Sequence, residues 1–164
     1  MFNFLKHTKI KKAWIKAPFD GEIIQLEQVP DNVFAQKMVG DGVAINPRDE
    51  WVTSPVEGKI VQIFPTCHAL GIKTNEGIEV LIHLGIETVK LKGKGFTPLV
   101  EKGQAVCIGD RLMRVDWDYI RQNAESAISP IIITNGNKVR EMQVLQYGAI
   151  TAGQDLLMIT LSND

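Results

Sequence analysis

The sequence predicts an all-β fold, an antiparallel sandwich or barrel built by duplication, with one or two very short helices. Three observations carry that expectation. Ala17-Pro-Phe-Asp-Gly-Glu-Ile-Ile24 and Ser54-Pro-Val-Glu-Gly-Lys-Ile-Val61 share one pattern of small residue, Pro, apolar, acid, Gly, polar and two aliphatics. Val106-Cys-Ile-Gly-Asp-Arg-Leu-Met113 and Ile150-Thr-Ala-Gly-Gln-Asp-Leu-Leu157 form a second echo, each with Gly three residues after an aliphatic and Leu three beyond it. Between the echoes, Ile78, Val80 and Ile82 alternate with Glu79, Leu81 and His83, the period-two rhythm of a strand. Repeated strand–turn–strand units with regularly spaced Gly and Pro suit an all-β architecture.

The chain has 164 residues, enough for one domain that buries ~70% of the surface its unfolded form exposes. A net charge of −1 argues against a nucleic-acid binder held by phosphate contacts. Two cysteines, Cys67 and Cys107, suggest a reducing compartment rather than a disulfide framework. No apolar run approaches the ~18 residues of a membrane span, and the start lacks the apolar core of a secretory signal. A cytoplasmic protein is the expectation.

Residues 1–16 carry Lys6, Lys9, Lys11, Lys12 and Lys16 without an acid, together with Phe2, Phe4, Leu5, Ile10 and Trp14. They read as a mobile basic tail, with His7 exposed in it. Such a tail supports weak contact with an anionic membrane, at roughly 1 kcal/mol per lysine near the surface. Residues 17–164 read as a single domain. Val29–Val43 has room for one helical turn before the Gly40-Asp41-Gly42 break. Leu91-Lys-Gly-Lys-Gly-Phe96 is a glycine-punctuated loop without Walker spacing. Asp116 is placed to cap a short helix over Trp117–Ala124, where Tyr119, Ile120 and Asn123 keep helical spacing. Ile128–Thr134 is a strand with Pro130 near its start, ended by Asn135-Gly136-Asn137.

The chemistry concentrates between Phe64 and Val89, which hold His68 and His83 on either side of the turn Thr74-Asn75-Glu76-Gly77. A two- or four-residue loop centred between Asn75 and Glu76 sets the two histidines directly opposite each other on one face. A three-residue loop with Gly77 in a bulge sets them on opposite faces. The turn residues admit both; we favour the even loop.

The plain alternative is a strand histidine and an unrelated surface histidine. Among functional readings, zinc is weak, because two imidazoles supply half a tetrahedral shell and a carboxylate such as Asp31 or Glu87 must complete it. Cys67 is expected to face away from His68. Phosphoryl transfer through a phosphohistidine fits better. A neutral imidazole is nucleophilic near pH 7, Thr66 can orient His68, and Gly85 leaves backbone accessible beside His83. A biotinyl or lipoyl carrier fails, because the turn has no lysine.

The motifs Ala-Pro-Phe-Asp-Gly-Glu-Ile (17–23), Val-Pro-Asp-Asn-Val-Phe (29–34), Met-Val-Gly-Asp-Gly (38–42) and Phe-Pro-Thr-Cys-His-Ala (64–69) occur in this order. They are followed by Glu-Val-Leu-Ile-His-Leu-Gly-Ile-Glu-Thr-Val (79–89), Leu-Lys-Gly-Lys-Gly-Phe (91–96) and Ser-Pro-Ile-Ile-Ile-Thr-Asn (129–135). In them the chain closely resembles the glucose-type IIA domain of the bacterial phosphoenolpyruvate-dependent sugar phosphotransferase system. The resemblance implies a β-sandwich of the duplicated hybrid type and a phosphocarrier. It implies that His83 takes the phosphoryl group from HPr and passes it to a cysteine of a permease IIB domain. His68 then assists as charge stabiliser and Thr66 orients it.

By the same resemblance Asp31 and Glu87 are acids beside the site, and Phe34, Met38, Val39, Phe64, Leu70 and Val89 form an apolar docking rim. No cofactor is implied, although in some relatives the histidine pair shares zinc with a regulatory partner. The chain departs from the family in Cys67, Glu87 and Lys94, which stand where Lys or Asn, Asp and an acid are usual. With the resemblance, the even loop and facing imidazoles become the expectation. A non-catalytic regulatory binding module is the rival.

Overall fold

The computed structural model describes residues 9–163. In chain order the strands are β1 (Lys12–Lys16), β2 (Gly21–Gln25), β3 (Asp41–Pro47), β4 (Trp51–Thr53), β5 (Gly58–Ile63), β6 (Ala69–Thr74) and β7 (Glu79–His83). They continue as β8 (Phe96–Pro98), β9 (Ala105–Val106), β10 (Arg111–Val115), β11 (Ser129–Ile133), β12 (Val139–Val144), β13 (Gly148–Ile150) and β14 (Asp155–Leu161). Two short α-helices interrupt them, α1 (Asn32–Ala35) and α2 (Trp117–Asn123). Asp116 caps α2 by accepting from the Tyr119 N–H at 3.0 Å.

The strands form one eight-stranded sheet, in the order β13-β2-β3-β11-β7-β6-β5-β9, and two three-stranded sheets, β1-β14-β12 and β4-β10-β8. Every pairing is antiparallel. The arrangement is a sandwich and not a closed barrel.

The echoes fold as repeats. Lys16 N–H bonds to the Pro55 carbonyl at 2.9 Å, and Thr53 N–H bonds to the Pro18 carbonyl at 2.7 Å, so the two Pro segments cross-link each other. The second echo closes each of them in the same way. Ala17 exchanges bonds with Gln154 and Gly153, and Ser54 does so with Asp110 and Gly109. Gly109 and Gly153 both adopt positive φ, at 89° and 87°, where a side chain would strain the turn. The shared Gly of the first echo has a different cause. A Cβ on Gly21 would sit 2.2 Å from the Asn46 carbonyl oxygen, and one on Gly58 would sit 2.2 Å from that of Lys73.

Two corrections to the sequence reading arise here. Residues 12–16, placed in the mobile tail, form strand β1 along β14, with Ala13 and Ile15 buried and Lys16 paired with Asp155. Alternate apolar residues in a basic stretch are enough to seat a strand when a partner is available. His7 and the first eight residues lie outside the described residues.

The loop parity also differs from the expectation. Thr74 N–H bonds to the Ile78 carbonyl and Gly77 N–H to the Thr74 carbonyl, with Gly77 at φ 92°. The β6–β7 loop therefore has the odd register, and Ala69, not His68, lies opposite His83.

The main core fills the space between the sheets and includes Phe19, Ile45, Leu70, Ile72, Ile82, Leu112 and Ile159. A smaller cluster covers part of the eight-stranded sheet's other face. It contains Leu26, Val29, Phe34, Ala44, Ile86 and Ile132. On β7, Val80 and Ile82 point into the main core while Leu81 and His83 face the thinner cover.

The glycine contacts give a testable contrast. Gly58→Ala forces a methyl against a strand carbonyl and is expected to lower stability by about 2–3 kcal/mol. Gly136→Ala, with nothing within 4 Å of its Cβ, should be neutral within ~0.5 kcal/mol. Urea denaturation midpoints measure both, and equal midpoints would rule out the close-approach account.

Candidate functional site

The β5–β6 connection, residues 64–68, supplies half of the site. Cys67 N–H bonds to the Phe64 carbonyl at 2.7 Å and Phe64 N–H to the Ala69 carbonyl at 3.0 Å, closing a tight loop. Cys67 sits at φ 58°, in the left-handed region that β-carbons disfavour. His68 follows it, before the first residue of β6, and is therefore free of the strand's alternation. Its ring comes to 5.1 Å from the His83 ring, centroid to centroid, at 77° between planes. The two imidazoles meet despite the odd loop, because His68 belongs to a turn and not to the pleat. Cys67 packs toward the main core and away from the site, as the sequence reading expects.

Each imidazole is held by an aromatic ring and by one hydrogen bond. Phe64 lies edge-on to His68 at 5.3 Å, and Phe34 lies tilted on His83 at 4.7 Å. Thr66 Oγ1 is 2.5 Å from His68 Nδ1. His83 Nδ1 is 2.7 Å from the Gly85 carbonyl oxygen. A carbonyl can only accept, so Nδ1 of His83 carries the proton and Nε2 keeps a lone pair.

Burial pushes the His68 pKa down. Burial also pushes His83 down, from the ordinary 6.5 to about 4. The nearby His68 ring adds to that depression, while the Gly85 carbonyl and the charges of Asp31 and Glu87 oppose it. His83 is a neutral imidazole at pH 7.

A cleft of about 120 Å³ opens over the pair and is lined by Asp31, Phe34, His68, His83, Glu87 and Val89. Asp31 also caps α1 by accepting from the Val33 N–H at 2.8 Å, which seats Phe34 against the ring. Glu87 pairs with Lys90 at 3.0 Å. Val89, in the cleft wall, is 51% exposed, and Phe64 and Val39 are half-buried, the first against His68 and the second against the smaller cluster, while Met38 is 69% exposed.

Two expected site residues differ in what they do. Leu70 is fully buried in the main core, because it lies on the opposite face of β6 from Ala69, and it forms no part of a rim. Gly85 does not offer its N–H to a phosphate. That N–H bonds to Ser129 Oγ at 3.0 Å, and the glycine acts through its carbonyl instead.

Ser129 and Thr88 were not legible as site residues. Both are buried, and Thr88 Oγ1 donates to the Leu84 carbonyl at 2.8 Å. Neither hydroxyl carries a distinguishing sequence signal: Thr88 follows an acid and Ser129 precedes a proline. Among the described residues no three His, Cys, Asp or Glu side chains cluster as a metal site.

The model of one protein family, the phosphoenolpyruvate-dependent sugar phosphotransferase system EIIA 1 family, matches residues 13–139. The chain belongs to this EIIA family. It is 47% identical over 153 residues to a glucose-specific EIIA component of Staphylococcus epidermidis, covering 93% of this chain and 92% of that one. A glucose-specific EIICBA component of Staphylococcus carnosus is 46% identical over 145 residues, which are 88% of this chain and 21% of that one. The structure of the glucose permease IIA from Mycoplasma capricolum superimposes with a TM-score of 0.85 at 40% identity, covering 96% of this chain and 99% of that chain. This EIIA chain is a phosphocarrier, a phosphotransferase component of the sugar uptake system. The family's general partners are HPr and the IIB domain of a sugar permease.

The depressed His83 pKa has a consequence for stability. Below pH 6.5 the unfolded chain takes up a proton that the folded ring refuses, so stability falls as pH drops from about 6.5 to about 4. Above 6.5 this group adds no slope. The contribution is on the order of 1–2 kcal/mol, below the full linkage value because the ring is half-buried. Thermal melts of the EIIA chain and of His83→Gln across pH 4–7 test it. The variant should lose less stability on acidification, and parallel curves would refute the assignment.

Proposed function

We propose that His83 Nε2 accepts the phosphoryl group from a phosphohistidine of HPr and passes it to a cysteine of the IIB domain of a glucose-type permease. One observation carries this reading: Nδ1 of His83 is committed to the Gly85 carbonyl, which leaves Nε2 as the ring's lone pair beside an open cleft. Nε2 attacks phosphorus as the donor's N–P bond breaks, and the donor imidazole leaves with that electron pair. The His83 ring becomes cationic while it holds the phosphate, and the Gly85 carbonyl at Nδ1–H stabilises that charge. In the second step a IIB thiolate attacks phosphorus, and the P–Nε2 electrons return to the ring.

His68 assists in this scheme. With Nδ1 accepting from the Thr66 hydroxyl, its Nε2–H faces His83 and donates to a phosphoryl oxygen. In this reading Val89 in the cleft wall, Phe64 beside His68, and Met38 and Val39 supply apolar surface for docking, and Phe34 backs the ring. Asp31 and Glu87 add negative charge that suits partners with a basic face. Glucose is the sugar in the names of the matched relatives, and we extend it to this chain.

The domain in this reading is single and begins at β1, inside the stretch first assigned to the tail. It works in the cytoplasm, which suits two unpaired cysteines. No described helix is long and apolar enough to cross a membrane. The basic lysines before β1 would add weak attraction to an anionic inner leaflet. Zinc shared with a regulatory partner would need that partner to bring the remaining ligands. A purely regulatory module would have no use for a committed Nδ1 and a free Nε2.

Incubation with phosphoenolpyruvate, enzyme I and HPr should load an acid-labile phosphate that is absent in His83→Gln. Stable loading of that variant would overturn the assignment. His68→Gln should still accept phosphate but transfer it to IIB at least ~100-fold more slowly, the loss typical of a positioned donor. Unimpaired transfer would remove His68 from the mechanism.

A further inference from the structure

The ladder between β7 and β11 breaks beside the proposed phosphoryl acceptor. It runs through Ile133↔Val80, Ile132↔Leu81 and Ile131↔Ile82, then stops. The next position along β11 is Pro130, which has no N–H to give. Pairing resumes as a single bridge, Ile86↔Ser126, with the register slipped by one residue. Gly85 lies inside that slip at φ 76°. A Cβ there would be 2.7 Å from Thr88 Cγ2 and 2.8 Å from the Ser126 carbonyl oxygen. The irregularity leaves the Gly85 N–H without a carbonyl acceptor across the ladder.

Ser129 fills that vacancy. Its side chain is fully buried, its Oγ accepts from the Gly85 N–H at 3.0 Å, and its hydroxyl proton goes to the Ala127 carbonyl at 2.9 Å. The two bonds use the hydroxyl as donor and as acceptor, so its orientation is fixed. Gly85 is thus held on its N–H side by Ser129, while its carbonyl holds His83 Nδ1 at 2.7 Å. A glycine in the left-handed region has wide backbone freedom. The peptide that carries its carbonyl is held by the Ile86 N–H bond to the Ser126 carbonyl at 2.9 Å, and Ser129 holds the peptide before it, so the two bonds together fix the carbonyl's direction.

We propose that the Ser129 hydroxyl is a positioning group for phosphoryl transfer: by anchoring Gly85 in the broken ladder, it aims the carbonyl that keeps the His83 proton on Nδ1 and Nε2 free. The inference rests on the reading of His83 as phosphoryl acceptor. Ser129 touches neither the phosphate nor a partner. It acts through Gly85, as outer-shell partners act on a ligating histidine by fixing its tautomer and ring orientation.

The experiment reads the tautomer directly. Ring nitrogen chemical shifts of His83 are recorded at pH 7 in unphosphorylated EIIA chain, Ser129→Ala, Ser129→Cys and Ser129→Thr, beside phosphate loading rates from phospho-HPr. The wild type and Ser129→Thr, which keeps a hydroxyl, should show a single Nδ1–H tautomer. Ser129→Ala should show a mixture of tautomers and load about 10-fold more slowly. If the alanine variant does not fold, Ser129→Cys, with its weakly accepting thiol, takes its place with the same expectation.

A single Nδ1–H tautomer with undiminished loading in the hydroxyl-free variant would overturn the proposal, and so would a Thr variant as impaired as Ala. A wild type that shows the Nδ1–H tautomer yet loads phosphate elsewhere would defeat the His83 reading alone. The tautomer measurement needs no phosphate and separates the two failures.

Discussion

A large antiparallel sheet has two faces to cover, and in this protein the covering is unequal. The eight-stranded sheet presses one face onto the main core and lends the other to a cluster of only six buried residues. Along β7 the consequence alternates residue by residue. Val80 and Ile82 disappear into the core, whereas Leu81 and His83 come out beneath a thin lid of α1 and the residue 64–68 loop. A histidine at the edge of such a cover is dry enough to lose its charge and near enough to the surface to meet a partner. Both properties come from the same geometry.

Neutrality is what the chemistry requires. A protonated imidazole has no lone pair to give, and a fully exposed one is free to exchange tautomers. Burial against Phe34 drives the proton off at neutral pH, and the Gly85 carbonyl decides which nitrogen keeps the one that remains. Asp31 and Glu87 oppose the first effect without reversing it, since desolvation is the larger influence. Both acids are also engaged within the chain, Asp31 as the cap of α1 and Glu87 in its pair with Lys90. His68 completes the balance, its ring held by Thr66 and Phe64 at an edge-to-face distance from His83.

Irregular backbone builds this site as much as side chains do. Cys67 and Glu87, both in left-handed conformations, turn the chain immediately before His68 and before Thr88. Gly85 does the same beside His83, where the ladder between β7 and β11 ends at Pro130. Regular pleating would have sent His68 toward the main core, opposite Leu84, as its backbone bond to the Leu84 N–H still records. Strain of this kind persists because the surrounding sheet over-determines it.

Composition, alternation and the echoed motifs were enough to announce a duplicated all-β sandwich, because period-two patterning and turn glycines are local signals. The echoes marked their own glycines, but the reason, a carbonyl approaching at 2.2 Å in each copy, lies in the neighbouring strands. His83, His68 and Thr66 stood out by residue type, while spacing left the two histidines on either the same or opposite faces and the resemblance joined them as a set. Other features required long-range contacts. β1 exists because β14 offers it an edge, Leu70 is core because its neighbours place it there, and Ser129 matters only through a glycine 44 positions away. Loop parity shows the division most sharply. The turn residues admitted both registers, the odd one formed, and the histidines met anyway. Their meeting depends on a left-handed turn at Cys67 and on the packing of Phe64 and Phe34, which no local pattern encodes.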